Sequence, residues 1–125
     1  MARILIAEDE EPLRALCARA LQSGGHDVRT AGDGGDALDI LACEEGRFDL
    51  LLTDIRMPIM DGIALALSAA RDYPSLTILL MTGYADQRER AHGLDAIIHD
   101  VISKPFSVAT LRTAVDEALT VQGRV

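Results

Sequence analysis

Glu8, Asp9, Asp54, Thr82 and Lys104 stand at or just past the ends of short apolar runs: "ILIA", "FDLLLT", "TILLM" and "VIS". If those runs are neighbouring strands, three carboxylates, a hydroxyl and an ammonium meet at one place. Two like charges about 4 Å apart repel by roughly 4 kcal/mol at an effective dielectric near 20. Such a cluster protonates, splays into water or holds a cation. Hard oxygen ligands favour Mg²⁺, which keeps several waters and takes one or two carboxylates plus phosphate oxygens. Thr82 can donate to a phosphoryl oxygen, and Lys104 supplies a point charge suited to phosphate. This set suits in-line phosphoryl transfer onto Asp54, chemistry that rests on positioning and charge neutralisation. A carboxylate is already a nucleophile and needs no general base.

Each residue alone has an ordinary explanation. Acids after a strand favour the positive end of the next helix. A strand-end threonine bonds to backbone, and a lone lysine is usually solvated. The chemical reading gains weight only because all four strand ends deliver complementary groups.

The elements that position them are legible. Strands are expected at Arg3–Ala7, Asp27–Ala31, Phe48–Thr53, Thr77–Thr82 and, more weakly, Val101–Ser103. Helix-period stripes lie between them: Leu13, Leu16, Cys17, Ala20 and Leu21, with Pro12 in the first turn and Gly24 at the stop; Leu38, Leu41 and Ala42; Ile63, Ala66, Leu67 and Ala70, stopped before Pro74; and Val108, Leu111, Val115, Ala118 and Leu119, capped by Ser107. Another helix is expected in "ADQRERAHGLDAIIHD", where Asp86 and Glu89 have capping-box spacing. Its apolar face is poor and Gly93 interrupts it, so it should be mobile or shared with a partner. Five β-α units with continuous apolar strands imply a parallel sheet covered on both faces. The expected fold is an α/β, flavodoxin-like doubly wound sheet, order 2-1-3-4-5, with five helices. Its crevice lies beyond the carboxyl ends of strands 1 and 3.

The 125 residues fit one domain. A net charge of −8 argues against nucleic acid and anionic membrane as partners. No signal peptide or transmembrane stretch is visible. Cys17 and Cys43 match no metal or redox spacing and read as reduced thiols of a cytoplasmic protein. His26, His92 and His99 are scattered, without ligand spacing.

At "ILIAEDE", "LLTDIRMPIMDG", "ILLMTGYA" and "SKPF" the chain resembles the receiver domain of two-component response regulators, along essentially its whole length. The resemblance implies a CheY-like fold, a single receiver domain over residues 1–125, and Asp54 as phospho-acceptor. It implies Asp9 and Asp54 as Mg²⁺ ligands, with Glu8 often acting through water and Arg56 offering its backbone carbonyl. Thr82 corresponds to the switch hydroxyl and Lys104 to the phosphate-binding lysine, before a Lys104–Pro105 bond often cis in the family. Phosphoryl donors would be a histidine kinase or a histidine phosphotransferase. "DIRMPIMDGIALA" and "ILLMTGYADQRERAHGLDAIIHDVISKPF" resemble the CpdR type of stand-alone alphaproteobacterial receiver. That type, when unphosphorylated, primes the ClpXP protease for selected substrates. Receivers usually meet partners on the face of helix 4, strand 5 and helix 5, which here would include Arg88, Arg90 and His92.

Two departures stand out. Val101 occupies a position that is usually Tyr or Phe, so no ring can rotate there. Either Tyr84 and the Asp86–His92 segment move on phosphorylation instead, or Val101 is ordinary packing and that segment is merely exposed. Ile97-Ile98 replaces a small Gly-Ala turn, which predicts a longer or shifted helix. Arg56 and Tyr84 are large and should hinder water at a phosphorylated Asp54.

Two other classes fit the residues less well. A Mg²⁺-dependent phosphohydrolase with an aspartyl-phosphate wants an acid two residues after the nucleophile, where this chain has Arg56. A flavodoxin-type carrier needs a phosphate loop after strand 1, where this chain has acids. The chain therefore reads as a switch, not an enzyme acting on other molecules.

Overall fold

A computed structural model describes residues 2–83 and 90–121, apart from the side chains of His92 and Val121. The strands are β1 (Arg3–Ala7), β2 (Asp27–Ala31), β3 (Leu50–Asp54), β4 (Thr77–Thr82) and β5 (Asp100–Ser103). All pair in parallel in the order β2-β1-β3-β4-β5. The helices are α1 (Glu11–Ser23), α2 (Gly34–Cys43), α3 (Gly62–Asp72) and α4 (Val108–Val121), with a 3₁₀ turn at His92–Leu94.

Successive strand residues point to opposite faces, and both faces are apolar, so the sheet builds two cores. Leu5, Leu51, Ile78 and Leu80 pack against Ala37 and Leu41 of α2 and Leu65, Ala66 and Ala69 of α3. Ile4, Ile6, Leu50, Leu52, Leu79 and Met81 pack against Cys17 and Leu21 of α1 and Leu111, Val115 and Ala118 of α4. Helix starts are fixed locally. Asp33, Asp61 and Ser107 accept from the backbone N–H of Asp36, Ala64 and Thr110 at 2.7, 2.8 and 3.0 Å. Gly24 ends α1, as expected.

Several expectations shift. β3 begins at Leu50, after Phe48, and carries Asp54 as its last residue. α3 turns Leu65, Ala66 and Ala69 inward and leaves Leu67 exposed. The phase is set by Gly62, which is wedged against the backbone of Asp54 and Ile55, and no stripe count reveals that. Leu16 and Ala42, assigned to apolar faces, also lie outside. Among the described residues four α-helices are complete, and Arg90 and Ala91 are also helical. Residues 84–89, including Asp86 and Glu89, lie outside the description. Beyond them Ile97-Ile98 does not extend a helix. Both N–H groups donate to the Leu94 carbonyl, at 2.8 and 3.0 Å, closing a turn. Ile98 is buried in the core beside Ile78, and the N–H of His99 donates to Ile78 at 2.7 Å, so burial and strand pairing end the turn here.

Candidate functional site

β1 and β3 are adjacent, and both run toward the same sheet edge. Glu8 follows β1 and Asp54 ends β3, so their carboxylates emerge side by side. Glu8 is fully buried and Asp54 is 5% exposed, whereas Asp9 is open to solvent. One oxygen of each of the three lies within 4.8 Å of the others. Asp9, Asp54, Arg56 and Lys104 line a cavity of about 420 Å³ together with Glu10 and Gly83.

Lys104 reaches in from beyond β5. Its Nζ stands 2.9 Å from Glu8 Oε1 and 3.1 Å from Asp54 Oδ2. Its backbone N–H donates to the Thr82 carbonyl at 2.8 Å, tying the ends of β4 and β5 together. The Lys104–Pro105 bond is cis. Glu8 Oε2 accepts from the N–H of Glu10 at 3.1 Å, so both of its oxygens are engaged. Asp9 and Asp54 are then the acids better placed to bind a cation directly, with Glu8 behind them.

Burial pushes the carboxyls of Glu8 and Asp54 above the usual range, and Lys104 offsets part of this for each. Burial acts to lower Lys104, but the hydrogen bond to Glu8 and the charges of Asp54 and Glu8 together raise it. Three acids and one ammonium leave an excess of negative charge. With the carboxylates ionised, hard oxygen donors around this polar cavity suit Mg²⁺. The residues present therefore fit the ion.

Thr82 is buried at the end of β4. Val101 is half-buried and packs against the α2–α3 side of the core. Arg90 is held to Asp61, its Nη2 standing 3.1 Å from Oδ2. Tyr84 and Arg88 lie outside the described residues, as does the side chain of His92. Sequence reasoning missed Arg14, whose Nη1 donates to the Glu8 carbonyl at 2.9 Å and fixes the turn that presents Glu8 and Asp9. The signal was a lone cation one helical turn after four consecutive acids.

An open α/β sheet with acids and a lysine at its switch point defines a phosphoryl-binding class of site. The response regulator receiver domain model matches residues 4–116, and the chain belongs to that family. It is 38% identical to the response regulator receiver protein CpdR of Brucella abortus (strain 2308), over 95% of this chain and 98% of that protein. It is 37% identical to the sensor kinase CckA of the same organism, over 97% of this chain but only 13% of the kinase. The fold superposes with a TM-score of 0.83 on the response regulator TrrA of Thermotoga maritima, a structure in complex with Mg(2+)-BeF; identity is 29%, over 95% of this chain and 100% of that one. Among the described residues no helix is long and apolar enough to cross a membrane.

Proposed function

We propose that this chain is a cytoplasmic phospho-switch that accepts a phosphoryl group on Asp54 and changes its protein partners in response. The observation that carries this reading is the Lys104 ammonium lying between two buried carboxylates, one of which faces the cavity. A carboxylate oxygen of Asp54 attacks phosphorus, and a new O–P bond forms. The P–N bond of a histidine-bound phosphoryl group breaks, and its electron pair stays on the imidazole nitrogen. Lys104 can follow the charge from the carboxylate to the phosphoryl oxygens, while Glu8 keeps it in place. Thr82 offers its hydroxyl to the same oxygens. Asp9, Asp54 and the Arg56 carbonyl, with Glu8 behind, would hold Mg²⁺, which would supply charge neutralisation.

The donor in this reading is a histidine kinase or histidine phosphotransferase. The likeness to CpdR supports a finer role, an adaptor that controls regulated proteolysis by ClpXP. Incubation with acetyl phosphate and Mg²⁺ tests the core reading. Wild type should gain the mass of one phosphoryl group and Asp54→Ala should gain none; equal labelling of both rejects Asp54 as acceptor. Retention of ClpX by the unphosphorylated form alone supports the adaptor role, and equal retention by both forms rejects it.

A further inference from the structure

Ile59 closes a turn in which the N–H of Met60 donates to the Pro58 carbonyl at 2.8 Å, a position that glycine would fill with less strain and no exposed apolar surface. Its φ is 71°, and its side chain is 85% exposed. A left-handed conformation is disfavoured for any residue with a Cβ and is a genuine outlier for a β-branched one. An exposed isoleucine gains no burial energy. Strain retained at an exposed apolar side chain points outward, toward something that covers it.

The surroundings say what. Ile59 lies five residues after Asp54, on the loop that also places Arg56 in the wall of the crevice. A protein that delivers a phosphoryl group to Asp54 has to cover the crevice mouth and so extends toward this loop. Ile59 also borders a shallow groove of about 420 Å³ with Asp33, Gly35, Asp36 and Asp39. Asp36 and Asp39 are exposed there, as are Asp9, Glu10 and Glu11 by the crevice. The apolar side chain thus stands among acids.

We infer that Ile59 is an apolar anchor for a protein phosphodonor, whose docking face offers an apolar seat ringed by lysine or arginine. This rests on Asp54 being the acceptor. It assigns Ile59 to partner recognition and not to chemistry, so a small-molecule donor has no use for it.

The test compares wild type, Ile59→Asn and Ile59→Val with two kinds of donor. One is acetyl phosphate. The other is drawn from a panel of phosphorylated histidine phosphotransferases and kinase dimerisation domains, using the member that phosphorylates wild type fastest. Asparagine accepts the left-handed backbone, so Ile59→Asn should keep or raise Tm. It should lower kcat/KM for the protein donor about tenfold or more, the scale of one lost buried side chain. Acetyl phosphate labelling should stay within about twofold, and Ile59→Val should retain most of the protein-donor rate. Undiminished transfer from the protein donor overturns the inference, as does an equal loss with both donors or transfer from no panel member to wild type. If wild type fails with acetyl phosphate, the acceptor reading itself falls, and this inference with it.

Discussion

Gly62 packs against the backbone carbonyl of Asp54: a Cβ at position 62 would lie 2.0 Å from that oxygen. The N–H of Gly62 also donates to the Ile55 carbonyl at 2.7 Å. The helix α3 is thereby seated directly on the strand end that carries Asp54. Gly62→Ala must push strand and helix apart, at a cost of about 1–3 kcal/mol. Denaturant titration should show the midpoint falling, and acetyl phosphate labelling should slow because Asp54 moves. A variant of wild-type stability would mean that α3 is not seated as described.

The pH dependence of stability should carry the mark of the buried acids. Burial raises the carboxyls of Glu8 and Asp54 in the folded state. The folded chain then binds protons more tightly than the unfolded one. Stability from this source is fully present below the ordinary carboxyl values, 4.5 for Glu8 and 3.8 for Asp54, and is lost as pH rises through the folded values. Glu8→Gln removes one of the two groups. In magnesium-free buffer it should flatten the decline in unfolding free energy from about pH 4 to about pH 7. A slope as steep as wild type would contradict the assignment.

Asp61 does two jobs that a double-mutant cycle can separate. It caps α3 and pairs with Arg90. Losing the cap costs about 1 kcal/mol. Losing the ion pair costs less, since both partners are partly exposed and such pairs contribute about 0–1 kcal/mol. Asp61→Ala should therefore destabilise more than Arg90→Ala. Their coupling should shrink in high salt; coupling indifferent to salt would rule out a simple ion pair.

The two thiols should differ sharply in reactivity. Cys17 is buried, and burial, with a contribution from Glu8, pushes its thiol up to about 11. Cys43 is exposed on α2. Since the thiolate is the reactive form, a disulfide reagent at neutral pH should modify one thiol rapidly, and Cys43→Ser should abolish that phase. Two fast thiols would show that α1 opens readily from the sheet.

The lifetime of the phosphorylated form should depend on Arg56, which is exposed in the crevice wall. Water must attack in line, and a long side chain there obstructs it. Arg56→Gly should speed hydrolysis of phosphorylated Asp54 severalfold, timed in Mg²⁺ after the donor is removed. An unchanged half-life would remove Arg56 from that role.

Strands were the most legible part of the fold. β1, β2 and β4 have the expected bounds; β1 and β4 are buried on both faces and write themselves as apolar runs, whereas β2, DVRTA, is an edge strand left mostly exposed. Helix faces were less so. Leu16, Ala42 and Leu67 satisfied a helical stripe yet face outward, since small residues such as Ala66 and Ala69 pack as well as large ones where backbones approach closely. Ile97-Ile98 closes a turn and does not lengthen a helix, because Ile98 enters the core.

By itself, the sequence determined which groups stand at the strand ends: acids after β1, Asp54 on β3, Thr82 on β4 and Lys104 after β5. Strand polarity and parallel pairing then bring them to one edge. Only the tertiary structure decided how they share charge. Lys104 stands 96 positions from Glu8, and their 2.9 Å contact exists because β1 and β5 flank the adjacent pair β3 and β4 in one sheet. The rotation of α3 was likewise settled by close packing, a property of surfaces in contact that no local pattern encodes.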